Sequence, residues 1–335
     1  MKRRRILILN QNGIGDIIMR FPACRWLCSQ PKYDAWMLVK GETEAELCTN
    51  ERLGSQIITL NRSSTIQLIK KVVMLRLLHI DTVIGWWGFS RRKVAFFTRV
   101  IGAKNFICPE FNEQDQYDRN TSHKYQKNLS VVSHFLGKPI PEDRKNDYFL
   151  DNIENNYFNQ VIGHRRYIVI FPGSGEKEKF KRWPCKEWVN FCKLFFTIHP
   201  TFHIIIAGSS SESNLAEGII NNINIQASKI NNLCGKASMR QVAGLCKNAK
   251  FVIGGDNGGL HIAKASGARV VAIMGPTNSS LTGPINPTLI IDQKLPGTPW
   301  YSRKLLRHKK NNIPDVSMQI PAKKVLDDLI SKYIF

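Results

Sequence analysis

FVIGGDNGGLHIAKASGARVVAIMGPTNSSLTGP, residues 251–284, is the stretch that decides the fold. Phe251 to Gly254 reads as a buried strand, and Asp256-Asn257-Gly258-Gly259 as an abrupt polar loop. His261 to Ser266 reads as a helix opening. Arg269 to Met274 is a second apolar strand, closed by a Gly275-Pro276-Thr277 turn. Strand, glycine loop, helix and strand form the repeating unit of a parallel sheet with crossover helices. The loop leaves a helix N-terminus with unpaired N–H groups and a positive dipole end, which suits a phosphate. Asp256 stands where the strand ends, the edge at which open α/β sheets bind ligands. The unit implies an enzyme that handles a nucleotide or a sugar phosphate.

The same alternation extends outward in both directions. Tyr167–Phe171 is a strand ending in Pro172-Gly173-Ser174-Gly175, and Pro184–Phe196 is a helix with Pro in its first turn. His203–Ala207 is a strand running into Gly208 and three serines, with helices over Glu212–Ile220 and Met239–Cys246. In the first half, Ile6–Asn10, Ala35–Val39, Gln56–Leu60 and Asp81–Trp86 read as strands; Ile17–Cys28, Ile66–Leu78 and Lys93–Ile101 read as helices. The polar stretch Asn112 to Ser122 breaks the pattern, Lys124–Leu136 is helical, and Gly137 to Arg166 holds the linker. The reading is therefore α/β, with two Rossmann-like doubly wound domains, 1–155 and 156–320, and a terminal helix in 321–335. The cleft between two such domains is the natural site.

Composition narrows the partners. The chain has 335 residues, enough for two domains, and its hydrophobic content of 43% suits a globular core. No apolar run reaches the roughly 18 residues needed to cross a bilayer. Met1-Lys2-Arg3-Arg4-Arg5 looks like the start of a signal peptide, but the apolar part that follows is too short, so it reads as the first strand of a cytoplasmic protein. Eight scattered cysteines without a CxxC pair read as reduced, small apolar residues rather than a zinc site. The net charge of +22 implies an acidic partner: nucleic acid, an anionic membrane or a polyanionic substrate. Basic clusters recur at Lys70-Lys71, Arg91-Arg92-Lys93, Lys177 to Arg182 and Arg303 to Lys310. Each by itself is also what a solvated face looks like.

Five places carry chemistry. Asn10-Gln11-Asn12-Gly13-Ile14-Gly15-Asp16 ends the first strand, and its glycines permit a tight turn and a close ligand. Asp16 is either a proton acceptor for an attacking hydroxyl or a plain first-turn helix charge. The loop lacks GxGxxG, and Asp16 would repel a diphosphate, so a dinucleotide is disfavoured there. Pro172-Gly173-Ser174-Gly175 with Lys177, Lys179, Lys181 and Arg182 is a phosphate-type constellation, though not a Walker loop. Glu212 either binds ribose hydroxyls or caps its helix. His261 either reaches a phosphate or is a satisfied structural histidine, and Asn257 and Gly258 at the helix entry are better placed. Trp86, Trp87 and Phe89 either line a sugar cleft or are aromatic core.

Together these residues resemble glycosyltransferase family 9, the heptosyltransferases that add heptose to the lipopolysaccharide inner core. The resemblance rests on Gly13, Gly15 and Asp16 with Phe21-Pro22-Ala23, on Pro172-Gly173-Ser174 with Lys181-Arg182-Trp183-Pro184, and on Asp256, Gly258, His261 and Ala263 with Gly275-Pro276-Thr277. It covers nearly the whole chain. It implies a GT-B fold, with the nucleotide-sugar donor, of the ADP-heptose type, on the C-terminal domain and the acceptor on the N-terminal domain. It also implies that the terminal helix packs back on the first domain. Residue by residue, it makes Asp16 the catalytic base and Lys181 the cation that stabilises the leaving diphosphate. Ser174, Gly175, Glu212, Asp256, Asn257, Gly258 and His261 fall on the donor side, and Gly13, Gly15, Arg91 and Arg92 on the acceptor side. Transfer is expected to be inverting and to need no metal or cofactor, with lysine and a helix N-terminus as the charge sink.

Three departures stand out: Asn257 for the usual Thr or Ser, Gly259 for a commoner Leu or Pro, and the uneven lysine element EKEKFKRWP. The excess positive charge then fits an acidic lipopolysaccharide acceptor and peripheral association with the anionic inner-membrane surface, with no nucleic acid expected. Competing readings are a protein O-heptosyltransferase, a transferase using another nucleotide sugar, a basic polyanion-binding protein, and an inactive donor-binding relative.

Overall fold

Every strand pairing among the described residues is parallel, in two separate sheets. The computed structural model describes residues 3–60, 64–110, 112–116, 118–223, 227–300 and 315–332; the basic stretch Arg303 to Lys310 lies outside them.

The first unit comprises 1–112 and 122–152. Its strands are β1 (Arg4–Asn10), β2 (Tyr33–Val39), β3 (Gln56–Thr59), β4 (Thr82–Ile84) and β5 (Asn105–Ile107), in the order β3-β2-β1-β4-β5. Its helices are α1 (Ile14–Ile18), α2 (Phe21–Cys28), α3 (Glu42–Asn50), α4 (Thr65–Leu77), α5 (Arg91–Val100), α6 (Lys124–Leu136) and the short α7 (Glu142–Lys145). β1 is central, with Ile8 opposite Met37 on one side and Ile84 on the other. Ile6, Leu7 and Ile8 are fully buried. That is why the strand reads as a continuous apolar run rather than an alternating one: helices cover both faces of the sheet.

The second unit comprises 113–121 and 153–335. It opens with α8 (Tyr157–Ile162) and β6 (Tyr167–Phe171). There follow α9 (Cys185–Ile198), β7 (His203–Ile206), α10 (Ser213–Asn221), β8 (Ile230–Asn232) and α11 (Met239–Asn248). The unit continues with β9 (Val252–Gly254), α12 (Gly258–Ala265), β10 (Val270–Ile273), α13 (Ser279–Thr282) and β11 (Leu289–Ile291), and ends with α14 (Ala322–Ser331). The strand order is β11-β10-β9-β6-β7-β8. Phe191, Phe195, Phe202 and Phe251 fill its core together with Trp183 and Trp188, whose rings meet edge-on at 4.7 Å. The doubly wound reading of both halves stands.

Several details differ from expectation. The helix expected over Ile17–Cys28 is two helices, separated at Met19-Arg20. Pro22 has no N–H to continue the ladder and instead sits in the first turn of α2, where none is needed. The chain divides after Asn152, and Glu113–Thr121 groups with the second unit. The preceding segment is held by Arg25, whose guanidinium meets Glu51 at 2.7 Å, Asp147 at 2.9 Å and Asp151 at 2.9 Å. Within the second unit α14 packs on α9, and Val325, Leu326 and Leu329 belong to its core. The first N–H of α14 donates to Glu187 at 2.8 Å, and the Trp183 indole donates to the Ile320 carbonyl at 2.8 Å just before it.

Candidate functional site

In each sheet the chain winds outward from a central strand and then crosses back, so each has a switch point where ligands bind: β1/β4 in the first, β6/β9 in the second. The loops leaving those four strands carry most of the residues singled out from sequence.

At β1/β4, α1 opens at Ile14 with Gly13 before it, and Asp16 lies in the first turn. Gly13 does not take the left-handed conformation that would require glycine. Gly13 has φ −71° and ψ 170°, which any residue adopts, and a Cβ built there would meet nothing within 4 Å. The open space beside Gly13 is on the ligand edge. The Asp16 carboxylate forms an ion pair with Lys124, the first residue of α6, whose preceding His123 caps that helix. One turn beyond Asp16, Arg20 is wholly buried. It donates to the Asn10 side chain at 3.1 Å and lies between the rings of Trp86 and Phe89, 5.5 and 5.2 Å from their centroids. Its Nε and second terminal nitrogen have no hydrogen-bond partner, and burial pushes its pKa down against the raising influence of Asp16. Asp16 thus faces two cations that sequence reasoning missed. Trp86 is fully buried and Trp87 nearly so, which settles them as aromatic core. Arg91 donates to the Cys108 carbonyl at 2.5 Å and covers the Phe106 ring at the end of β5, and both Arg91 and Arg92 are exposed.

At β6/β9, Lys181 separates itself from the other lysines of its cluster. It is 8% exposed and pairs with Asp256 at 3.1 Å and Glu178 at 3.0 Å, whereas Lys179 pairs with Glu176 on the outside. Phe180 and Trp183 are buried on either side of it and fix the segment. The Lys181 carbonyl lies 3.1 Å from where a Gly255 Cβ would be, so the two loops run in contact. Arg182 donates to the Ser174 carbonyl at 2.6 Å, and the Ser174 hydroxyl donates to the Glu178 carbonyl at 2.8 Å. Ser174 therefore closes its own loop, and Gly175 precedes the 3-10 turn Glu176–Lys181.

α12 begins at Gly258, three residues earlier than read from sequence, with Asn257 as its cap. The Asn257 oxygen accepts from the Leu260 N–H at 3.1 Å, and its amide donates to the Gly173 carbonyl at 2.9 Å and the Phe171 carbonyl at 3.3 Å. A threonine or serine has one hydroxyl and could not make all three contacts. Asn257 is thus a strut between the two loops, and its amide does not stand in for a phosphate-binding hydroxyl. His261 is buried within α12. Glu212 lies beyond β7, where one carboxylate oxygen accepts from the Ser209 N–H at 2.6 Å and the Ser209 hydroxyl at 2.8 Å. The other lies 1.7 Å from where a Gly173 Cβ would be, so glycine there is what lets Glu212 reach the β6 loop.

Gly259 does not loosen the helix entry. A Cβ there would sit 2.3 Å from the buried Phe171 ring. Gly259→Ala gains about 1 kcal/mol of helix propensity but overpacks a fixed aromatic, at about 1–3 kcal/mol. The variant is expected to be less stable in urea unfolding; an unchanged or higher midpoint would contradict this packing.

Two doubly wound units, each with charged groups gathered at its switch point, match a known group of enzymes. Residues 68–294 fit the profile of glycosyltransferase family 9 (heptosyltransferase). The chain belongs to glycosyltransferase family 9. It is 24% identical over 288 residues to lipooligosaccharide heptosyltransferase 2 of Campylobacter jejuni, covering 84% of this chain and 83% of that one. It is 25% identical over 205 residues to lipopolysaccharide heptosyltransferase 2 of Escherichia coli K12, covering 60% and 56%. The structure of E. coli ADP-heptose lipopolysaccharide heptosyltransferase II superposes over 98% of each chain with a TM-score of 0.71 at 17% identity. An E. coli heptosyltransferase solved with ADP-2-deoxy-2-fluoro heptose superposes with a TM-score of 0.64 at 17% identity over 98% of this chain and 99% of that one. The GT-B class read from the sequence is the fold of these proteins, and this family 9 chain is a glycosyltransferase.

Proposed function

We propose that the protein transfers heptose from ADP-heptose to an inner-core sugar of lipopolysaccharide, with inversion and without a metal. The observation that carries the reading is Lys181, a buried lysine held by Asp256 beside the N-terminus of α12. That pairing sets a cation and a positive helix end on the ligand edge of the second sheet. The relatives named for lipopolysaccharide and for ADP-heptose support the substrate pair.

The chemistry then divides between the two sheets. The acceptor hydroxyl oxygen forms a bond to the anomeric carbon of heptose as the bond from that carbon to the diphosphate oxygen breaks. Electrons leave with ADP, whose charge Lys181 and the first N–H groups of α12 receive. The acceptor proton goes to Asp16, with Lys124 matching the carboxylate charge. Glu212 offers to the ribose the oxygen that lies beside Gly173, and the open space beside Gly13 admits the acceptor sugar. Ser174, Asn257 and His261 shape the donor loops rather than touch the donor. The acceptor sits in the cytoplasmic leaflet of the inner membrane, so the enzyme works at that surface.

Thermal unfolding with ADP, ADP-heptose, UDP and UDP-sugars tests the donor assignment. A ligand at a hundred times its Kd stabilises by about 2.7 kcal/mol, a readable shift in Tm. ADP and ADP-heptose are expected to raise Tm and UDP compounds to leave it unchanged. A preference for UDP would overturn the heptose donor.

A further inference from the structure

The amphipathic rule is reversed on α4. Eight of the thirteen residues in TIQLIKKVVMLRL are apolar, yet only Leu75 is buried. Ile66 is 67% exposed, Ile69 58%, Val73 50% and Leu77 71%. At 3.6 residues per turn these four form one stripe about 80° wide, centred roughly opposite Leu75. The stripe therefore points straight away from the sheet that α4 covers. Lys70 borders it on one side and Arg76 on the other, and the helix has no acidic residue.

α5 repeats the pattern. Val94 and Thr98 face the core, while Phe96, on the opposite side, is 69% exposed between Arg92 and Arg99. It also has no acidic residue. The chain winds from β3 to β4 and from β4 to β5 in the same direction, and right-handed crossovers place α4 and α5 on the same face of the first sheet. Leu75 and Val94 share one core cluster beneath them. The result is one outward face with an aliphatic stripe, an exposed phenylalanine and a cationic border.

Single exposed apolar side chains need no explanation, but an aligned set pointing to solvent does. Two occupants would cover it, a second copy of the chain or a lipid surface. Charge decides between them. Two such faces brought together would set cations against cations, whereas anionic headgroups match the border while the stripe enters the acyl boundary.

We propose that the outer face of α4 and α5 is the surface by which the enzyme docks on an anionic bilayer. Ile66, Ile69, Val73, Leu77 and Phe96 insert at the headgroup level, and the flanking lysine and arginines reach to lipid phosphates. The proposal deepens the functional reading and rests on it for one point, that the acceptor is anchored in a membrane. Binding needs no turnover, so a wrong donor assignment and a wrong docking face fail in separate experiments.

The test is co-sedimentation of the full chain with vesicles of phosphatidylethanolamine and phosphatidylglycerol, and with vesicles of phosphatidylcholine alone. The wild type is expected to bind the anionic vesicles. Ile69→Ser/Val73→Ser/Leu77→Ser is expected to lower the partition coefficient at least about tenfold with an unchanged melting temperature, because the three side chains are already in water. Lys70→Gln and Arg76→Gln are each expected to weaken binding about fivefold. Equal binding to neutral vesicles, or a triple variant that binds like wild type, would overturn the proposal. So would a dimer in solution that the triple variant loses, which would make a second copy the occupant.

Discussion

Asp16→Asn is expected to lower kcat by about 10²- to 10⁴-fold while leaving ADP-induced stabilisation intact. The substitution keeps the side chain's size and removes only its ability to take a proton. Some stability is lost as well, because Asp16 favours the charge of the wholly buried Arg20, so kcat is compared below the melting temperature of the variant. The Asp16–Lys124 pair is part-exposed, and losing such a pair costs about 0–1 kcal/mol. The diphosphate is assigned to Lys181 and the N-terminus of α12 on the second sheet, so ADP should still bind. Turnover within about threefold of wild type would reduce Asp16 to a helix-terminal charge. Lys124→Met belongs to the same prediction. It leaves the base in place but removes the cation facing it, so a smaller loss of kcat is expected than for Asp16→Asn, seen in steady-state kinetics.

Lys181→Met is expected to cost both donor affinity and rate, together about 10²- to 10³-fold in kcat/KM. Two effects act in the same direction. The leaving diphosphate loses its cation, and Asp256 and Glu178 are left as uncompensated negative charge where the diphosphate must sit. The variant is also expected to be less stable, because removing one partner leaves a nearly buried carboxylate unpaired. The double variant Lys181→Met/Asp256→Asn separates the two. Restoring charge balance should recover most of the stability but not the activity. Recovery of activity would mean that Lys181 only neutralises Asp256 and never meets the donor.

The strands and the positions of the candidate loops were legible because they rest on local pattern. The continuous apolar runs of β1 and β6, each followed by a glycine loop, mark parallel strands and their ligand edges. β5, β8 and β11 are missed because three-residue strands carry too little pattern to read. Within the site, Asp16 and Lys181 could be named, but not what they touch. Lys124 lies 108 residues from Asp16 and meets it only in the fold. Arg20 left a trace, a charge in the middle of the apolar run IIMRFPA, which is the mark of a buried ion with a specific task. From sequence, Asn257 and Gly259 stand out only as departures from the family pattern. In the structure they are answers to Gly173 and Phe171, contacts a single sequence does not reveal. The sequence marks Ile66–Leu78 as a helix but not the exposure of its apolar stripe, because periodicity gives a face but not what it faces.

Incubating the enzyme with ADP-heptose and heptose-deficient lipopolysaccharide in the presence of EDTA, and weighing the acceptor by mass spectrometry, decides whether the protein is a metal-independent heptosyltransferase. The expected result is a mass gain of one heptose unit, matched by ADP released. An acceptor of unchanged mass with ADP-heptose, but extended with a UDP-sugar, would contradict it.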